Sequence, residues 1–319
     1  MPSVRAMYPL IIVAALVVTP ALAASEGTFE RTLEVTGAVN LQIETGSGGI
    51  RVYAGSSSQV QVTGHIRANN WFHSSEEDIH RLESNPPIQQ SGNDIRIGHI
   101  DDPELRRSVS ISYEVSVPTS TQLHSSTGSG SQDISGISGP VEATTGSGSL
   151  KISRIHSSIR AHSGSGTIQI GDISGAVLAH SGSGSIRATE VAGGFDGETG
   201  SGHLALEQSA PGSVRAESGS GGLELHHLHG TLRAQTGSGS IQADGEATGE
   251  WMVRTGSGGI ELRMPQNASF DLNAHTGSGS ISLNHSVEGS VARKEVHGKV
   301  RGGGVPVEVQ TGSGSIRID

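Results

Sequence analysis

The sequence predicts an all-β protein: a single-stranded parallel β-helix, or β-solenoid, with coils of about 18 residues and a short inserted helix near the N-terminus. Three observations support this prediction. Glycine accounts for 47 of the 319 residues, and the tripeptide Gly-Ser-Gly occurs eleven times. From Gly128 onward, most copies follow one another at intervals of 18 or 19 residues. On both sides of each copy, apolar and polar residues alternate with the period of two that β-strands require.

The first residues are typical of an export signal. Arg5 supplies a positive charge, residues 10–18 form an uninterrupted apolar run, and Ala21-Leu22-Ala23 fits the small-residue pattern that precedes signal cleavage. The apolar run is shorter than the roughly 20 residues of a membrane-spanning helix. We therefore expect residues 1–23 to be a signal peptide and the mature chain to have no membrane span. Its expected location is the periplasm, the cell surface or the extracellular space.

Residues 24–125 predict irregular β-coils or a cap, interrupted by a helical insert. Alternation at residues 109–117 predicts a strand. Further upstream, Ser74-Ser75-Glu76-Glu77 has the form of a capping box, and Pro86-Pro87 stops any helix that follows it. The sequence therefore predicts a helix over residues 75–83.

Residues 126–319 predict the regular Gly-Ser-Gly solenoid. Before each corner the inward positions hold small residues such as Ala143 and Ala161, and after it they hold large aliphatic residues such as Leu150 and Ile168. One coil buries too little apolar surface to fold alone, so stability must come from stacking. Strands stacked about 4.8 Å apart give a rod of about 50 Å, which we expect residues 311–319 to close.

The Gly-Ser-Gly corners have a physical explanation. A sharp turn between strands needs either a positive φ or a close backbone approach, and glycine permits both. The corner Thr or Ser that precedes them points inward by alternation, so its hydroxyl is expected to bond to a neighbouring hydroxyl or to corner backbone. If exposed instead, the hydroxyl columns would suit ice or glycan binding. The predicted structural corner glycines are Gly146, Gly148, Gly164, Gly166, Gly182, Gly184, Gly200 and Gly202.

Composition excludes several classes of function. Lys and Arg number 21 against 31 Asp and Glu, a net charge of −10, and aromatic residues are only 3% of the chain, which argues against nucleic-acid binding. With no cysteine, the chain has no disulfide, thiolate metal site or catalytic thiol. No helical pattern follows any Gly-Ser-Gly copy, so a phosphate-binding loop is not expected. We expect no cofactor.

One outward column is the candidate binding face. It lies just before the corner Thr or Ser, and stacking places its successive members about 4.8 Å apart. Glu198 and Glu217 would then approach the carboxylate separation of a retaining glycosidase, and His180 beside Glu198 has donors for a metal ion. A solvated strand face with pairing between coils is the simpler interpretation, since no aromatic wall supplies a cleft. The column consists of His162, His180, Glu198, Glu217, Gln235, Arg254 and His275.

The densest histidine cluster is a weak candidate metal site. It comprises His226, His227 and His229, which fall near the second corner of a coil. Exposed imidazoles bind transition metals, but a structural site needs four fixed ligands. The chain also has fifteen histidines, and because the ordinary pKa of histidine is about 6.5, they predict adhesion that depends on pH.

The chain resembles the bacterial putative-adhesin family of β-strand-repeat proteins, whose domain has no assigned function. The resemblance rests on the export signal, an opening strand pair at 29–52, the segment Tyr113-Glu114-Val115-Ser116-Val117-Pro118, and the repeated Thr-Gly-Ser-Gly-Ser-Ile units. It covers residues 29–319. It implies a single-stranded parallel β-helix in the envelope or outside the cell, with no defined catalytic residues.

Together these observations predict an exported, adhesin-like β-solenoid that acts as a non-catalytic binding or structural module at the cell envelope. Its expected partner is a surface ligand, either a glycan or a protein, and an uncapped end strand would allow end-to-end self-association. The alternatives are a carbohydrate-active β-helix enzyme and a metal- or ice-binding rod.

Overall fold

The computed structural model describes residues 26–68 and 76–319, so the predicted signal peptide at 1–23 lies outside the described residues. The described part begins with β1 (Glu26–Glu34), β2 (Val39–Thr45), β3 (Ile50–Ala54), β4 (Gln59–Ala68), α1 (Glu76–Ser84), β5 (Ile88–Ser91), β6 (Asp94–Ile97), α2 (Pro103–Ser108), β7 (Val109–Val117), β8 (Thr121–Thr127) and β9 (Gln132–Ser135).

The central coils contain β10 (Val141–Thr145), β11 (Leu150–Ile155), β12 (Ile159–Ser163), β13 (Ile168–Ile173), β14 (Val177–Ser181), β15 (Ile186–Val191), β16 (Phe195–Thr199), β17 (Leu204–Gln208), β18 (Val214–Ser218), β19 (Leu223–Thr236) and β20 (Ile241–Thr255). The chain ends with β21 (Ile260–Arg263), β22 (Phe270–Thr276), β23 (Ile281–Leu283), β24 (Val287–Val291), β25 (Glu295–Val300), β26 (Val305–Thr311) and β27 (Ile316–Ile318).

Two short helices lie in the N-terminal part. Helix α1 buries Ile79 and Leu82. The predicted helix start at Ser75 and the capping residue Ser74 lie outside the described residues. Helix α2 was not predicted. Asp102 caps it by accepting hydrogen bonds from the backbone N–H groups of Glu104 and Leu105, with Pro103 in its first turn. An Asp-Pro pair of this kind is itself a helix-start signal.

Each coil contributes one strand to each of two faces. The front face contains the strands that precede the Gly-Ser-Gly corners, such as β10, β12 and β14, and the back face contains those that follow them, such as β11, β13 and β15. Within each face these neighbours are parallel. Ala143 pairs with Ala161, and Ala161 with Ala179, so the register repeats every 18 residues. β19 and β20 run continuously through the second corner and serve both faces.

The order of coils along the rod differs from their order in the chain. β2 lies between β6 and β8, so the first coil of the chain is not the first in the stack. At the other end, β26 lies between β20 and β22, and β27 between β21 and β23. The expectation that residues 311–319 close the stack is therefore wrong. The terminal coil is formed by β22 and β23.

Antiparallel strands cover both ends of the parallel stack. At the N-terminal end, β5 pairs with β6 on the front face, and β4 and β1 follow β7 on the back face. At the C-terminal end, β25 pairs with β22 and β24 with β25. The expectation of a purely parallel, single-stranded solenoid is thus corrected: the molecule is all-β with a parallel solenoid-like body, and its sheet is mixed. The outermost strands at the N-terminal end, and on the front face at the C-terminal end, are therefore antiparallel ones, and they cover the edges of the parallel strands there. Uncovered edges of a parallel stack can pair with strands of other chains.

The core is thin and lies between the two faces. Small residues of the front face, such as Ala161, pack opposite large residues of the back face, such as Ile168, and both are almost fully buried. Gly197 interrupts the small column. A Cβ there would lie 2.5 Å from the ring of Phe195 and 2.9 Å from Leu204, so these two side chains occupy its space. Small and large residues thus alternate across the core to keep it filled.

Candidate functional site

The Gly-Ser-Gly corners are tied together by buried hydroxyls. Thr145 is 1% exposed, its hydroxyl donates to the carbonyl oxygen of Gly130 in the preceding coil at 3.1 Å, and it accepts from the N–H of Gly148 at 3.0 Å. Ser163 repeats the pattern one coil later with the Gly148 carbonyl and the Gly166 N–H. Each hydroxyl therefore satisfies one backbone acceptor and one backbone donor. These hydroxyls face the interior, so they offer no flat exposed row for ice or glycans.

The corner glycines are required by close backbone approach. A Cβ on Gly164 would lie 2.3 Å from the carbonyl oxygen of Gly146, and one on Gly166 would lie 1.8 Å from that of Gly148. None of the predicted corner glycines has a positive φ. Of the two reasons that the sequence left open, the structure identifies close approach. The same crowding occurs at Gly146, Gly148, Gly182, Gly184, Gly200 and Gly202.

The second corner of the coil uses the left-handed backbone region without glycine. Arg154, Asp172, Glu190 and His227 have φ between 54° and 58° at equivalent positions of their coils. Gly136 adopts φ 77° at the corresponding corner of an earlier coil. A left-handed conformation is unfavourable for a residue with a Cβ. These positions carry local backbone strain.

The predicted outward column exists, with one additional member. In register order, His162 pairs with His180, His180 with Glu198, Glu198 with Glu217 and Glu217 with Gln235. Arg254 follows Gln235. Gln310 then lies between Arg254 and His275, because β26 is inserted between β20 and β22. Spacing along the chain cannot reveal this insertion, since the coil that carries Gln310 comes last in sequence.

Several members of the column contact one another or neighbouring strand positions. The rings of His162 and His180 stack with centroids 5.1 Å apart and an interplanar angle of 2°. His180 Nδ1 lies 3.6 Å from a carboxylate oxygen of Glu198. Both carboxylate oxygens of Glu217 accept hydrogen bonds from Arg215, at 3.0 and 2.9 Å. This bidentate pair ties Glu217 to a side chain of its own strand.

Arg254 pairs with a carboxylate that does not belong to the column. Its guanidinium donates to Glu308 at 2.8 Å, and Gln310 donates to the same carboxylate oxygen at 2.6 Å. The column is therefore divided into separate polar pairs along the rod. Cross-strand pairing of this kind is what a solvated strand face provides.

The three histidines of the candidate metal site point to different carboxylates. His226 bonds to Asp244, His227 Nδ1 lies 3.4 Å from Glu207, and His229 Nδ1 lies 3.5 Å from Glu246. Among the described residues, no group of three or more histidine, aspartate or glutamate side chains is arranged to hold a metal ion. The cluster thus forms three separate pairs in place of one donor set.

Two polar contacts that involve histidines shift the pKa of one partner. Partial burial by itself raises the pKa of Asp244, but hydrogen bonds from the His226 ring and the His227 backbone N–H outweigh it, and the net pKa lies below its ordinary value. Near the N-terminal end, His99 lies 2.8 Å from Glu44 and 3.1 Å from Asp101. The hydrogen bond to Glu44, with the negative charges of Glu44 and Asp101, raises the pKa of His99.

A groove lies on the front face of the central coils. It has a volume of about 810 Å³ and runs across several coils, from Gln122 to Met252. Small residues lie along one side, and the adjoining register column carries long side chains. The small residues include Ser158, Ala176 and Gly194, and the long ones include Arg160, Leu178 and Asp196.

The groove combines an exposed apolar side chain with an available cation. Leu178 is 39% exposed, although it lies in an outward column. Its register neighbour Arg160 is exposed and forms no ion pair within the described part of the chain. Sequence reasoning missed this site because it singled out the column two residues further along each strand. An outward leucine within a polar column was the available signal.

Over residues 26–68 and 76–319, no helix is both long enough and apolar enough to cross a membrane.

Comparison with known proteins gives four results. The chain is similar to the crystal structure of a putative adhesin from Bacteroides fragilis, with 12% identity and a TM-score of 0.37 over 93% of this chain and 99% of that one. It is also similar to a putative cell adhesion protein from Clostridium sporogenes, with 11% identity and a TM-score of 0.21 over 92% and 99%. No curated protein matches the chain significantly. A family model described as Toastrack DUF4097 matches residues 38–319.

Proposed function

We propose, from the premise that this chain belongs to the Toastrack DUF4097 family, that it is an exported, adhesin-like and non-catalytic binding module of the cell envelope. The N-terminal residues have the pattern of a signal peptide, which supports a location in the periplasm, at the cell surface or outside the cell. The ligand is a glycan or a protein segment bound in extended form along the front face. The rigid rod presents this face, with its coils in regular register.

The front-face groove is the observation that carries this proposal. An extended ligand fits a groove that repeats coil by coil, because successive units of the ligand meet equivalent positions on successive strands. Leu178 offers apolar contact, and Arg160, whose register neighbour is Glu142, offers a cation that forms no ion pair in the described structure. Ligand sites generally combine such apolar surface with a few polar anchors.

The engagement of the candidate column argues for binding without catalysis. Glu217 is held by Arg215, and His180 faces Glu198. A carbohydrate-active enzyme would need one free carboxylic acid beside a free carboxylate. The direct test is the double substitution Glu198→Gln with Glu217→Gln. Glycan turnover by the parent chain that disappears in this variant would favour the enzyme.

The proposed function is tested by binding of the mature chain to an array of glycans and matrix proteins, with and without a chelator. We expect binding that is insensitive to the chelator and occurs without cleavage of the ligand. Arg160→Ala combined with Leu178→Ala should weaken it about tenfold, equivalent to roughly 1.4 kcal/mol. Arg187→Ala is the matched control, because Arg187 is an exposed arginine on the back face. Equal loss in the control, or no loss in the groove variant, would contradict the proposal.

A further inference from the structure

The outermost strand at the C-terminal end of the front face has an open edge. Within the described residues, β24 pairs with β25 and with no other strand. The N–H of Ala292 donates to the carbonyl oxygen of Glu295 at 2.8 Å, so these two residues form a hydrogen-bonded pair. This pair identifies which other residues of the hairpin are hydrogen-bonded to each other. By the alternation of an antiparallel ladder, the backbone groups of Glu288 and Ser290 face β25, and those of Val287, Gly289 and Val291 face outward.

The other end strands are protected by side chains, by their own backbone or by being very short, as the four-residue β5 is. On β1, the N–H of Thr28 donates to the Glu83 carboxylate of α1 at 3.0 Å, and the carbonyl oxygen of Glu30 accepts from Arg31. Gln90 of β5 donates to the carbonyl oxygen of Glu34, which joins β5 to β1. At the C-terminal end of the back face, β23 is three residues long, and its Ile281 N–H donates to the carbonyl oxygen of Arg293. Such devices protect sheet edges from pairing.

The sequence of β24, Val-Glu-Gly-Ser-Val, is complementary to itself in the antiparallel direction. With Gly289 opposite Gly289 of a second copy, Val287 lies opposite Val291 and Glu288 opposite Ser290. The outward backbone groups of Val287, Gly289 and Val291 then meet one another. Val291 is 61% exposed, more than any other large hydrophobic side chain of the described chain, and this pairing covers it.

We propose that two copies of the chain associate through antiparallel pairing of their β24 strands, forming a two-fold symmetric dimer that joins the rods at their C-terminal ends. The contact is isologous and closes on itself. Because the N-terminal edges are blocked, the assembly stops at two rods and does not grow into a filament. This inference is independent of the front-face groove and of its ligand.

The size and charge of the contact predict how dimerisation depends on protein concentration and on salt. A five-residue edge offers about six main-chain hydrogen bonds, a small contact beside the roughly 1,200–2,000 Å² of a stable interface, so dimerisation should depend on concentration. The cap is basic, with Arg293, Lys294, Lys299 and Arg301 against Glu288 and Glu295. Added salt should therefore strengthen the dimer by screening the repulsion between two like caps.

The register can be tested by disulfide formation, because the chain contains no cysteine. Glu288 and Ser290 of opposite copies form a non-hydrogen-bonded pair in the proposed register, with a Cα separation that suits a disulfide. Mixing the Glu288→Cys variant with the Ser290→Cys variant should give cross-linked heterodimers faster than either variant alone. Ser290→Cys mixed with Ser129→Cys is the control, since Ser129 lies in an exposed Gly-Ser-Gly corner. Equal cross-linking in all mixtures would overturn the register.

The oligomeric state provides the second test. Sedimentation of the mature chain over a concentration series should show monomers and dimers, with no larger species. Val291→Lys should shift the equilibrium to monomer without changing the melting temperature, whereas Leu178→Lys, on an exposed leucine of the front face, should not. A monomer at all concentrations, growth beyond the dimer, or an equal response to both substitutions would overturn the proposal. If the unsubstituted mature chain forms the dimer but binds nothing on the array of glycans and matrix proteins, that result would count against the proposed function alone.

Discussion

From Thr127 to Thr255, a single buried hydroxyl at each corner serves two coils. It accepts from the glycine N–H of its own corner and donates to a glycine carbonyl oxygen of the preceding coil, as Ser181 does with Gly184 and Gly166. Neither of these two backbone groups has another hydrogen-bond partner in the described structure. Such polar groups are costly to leave unpaired when buried.

We therefore expect Thr145→Val to destabilise the chain although it preserves the shape of the side chain. It removes the acceptor of the Gly148 N–H and the donor to the Gly130 carbonyl, which should cost about 1–3 kcal/mol. Thr145→Ser keeps the hydroxyl and serves as the control. Urea unfolding measures both. A smaller loss for Val than for Ser would show that packing of the methyl group, and not the hydroxyl, is what matters.

Glycine at the corner is predicted to be indispensable only where another coil lies against it. Gly164→Ala places a Cβ 2.3 Å from the carbonyl oxygen of Gly146, and separating the coils should cost about 3 kcal/mol or more. Gly46 occupies the same position of its motif, but no atom lies within 4 Å of its Cβ site. Gly46→Ala should thus be nearly neutral. Thermal unfolding of the two variants provides the comparison, and similar losses would refute close approach as the cause.

Asp244 should make stability depend on pH in the acid range. Its folded pKa is below the ordinary value, so its contribution is present at neutral pH and is lost as pH falls through the folded pKa. Asp244→Asn should lower the melting temperature at pH 7, and the difference should shrink below about pH 4. Asp133→Asn, a carboxylate on the same face without an ion pair in the described structure, is the control. A difference that is constant with pH would contradict the assignment.

At the scale of the element, the two corners of a coil use different solutions to the same turn. The Gly-Ser-Gly corner depends on close approach, and the second corner depends on a left-handed residue that glycine would adopt without strain. The sequence marks the first corner with glycine and leaves the second without it in most coils. A glycine substitution at the second corner is therefore expected to increase the stability of the chain.

Glu190→Gly should stabilise the chain. Glu190 has φ 54°, so glycine relieves an unfavourable conformation, and the gain should be about 0.5–1 kcal/mol after the entropy cost of glycine. Glu190→Ala retains the Cβ and should give no gain. Denaturant midpoints of the two variants separate the backbone effect from the loss of the carboxylate. Equal midpoints would exclude relief of strain.

At the scale of the whole molecule, the last coil of the chain holds the C-terminal cap in place. β26 and β27 lie between the coil of β20 and β21 and the coil of β22 and β23. The two coils on either side of these strands both come earlier in the sequence. Folding of this end therefore requires the last two strands of the chain to insert between them. Contacts of such long sequence separation are expected to form late.

Removing residues 305–319 should release parts of the chain that remain present. β23 loses its parallel partner, and β22 keeps only β25, so hydrogen exchange at residues 270–300 should become fast while residues 241–262 stay protected. Mass spectrometry of exchanged peptides measures this. If residues 270–283 stayed protected after truncation, the stacking order described above would be incorrect.

The sequence by itself determined the repeated unit. Period-two alternation around Gly-Ser-Gly predicted the strands, the inward Ala161 and Ile168 and the inward corner hydroxyls, because these features depend on contacts with the same position of the next coil. The predicted end of the inserted helix at residue 83 lies within one residue of the end of α1, for a similarly local reason. The family resemblance drawn from these repeats agrees with the match to residues 38–319.

Only the tertiary structure decided which coils are neighbours at the ends. The insertion of β2 and β26, the antiparallel caps, and Gln310 in the outward column all depend on pairing between segments far apart in sequence. The groove beside Leu178 likewise depends on the different sizes of side chains that come from several coils. A repeat specifies the shape of each coil, and nearly identical coils leave the stacking order open. Non-local pairing energies at the irregular ends settle that order.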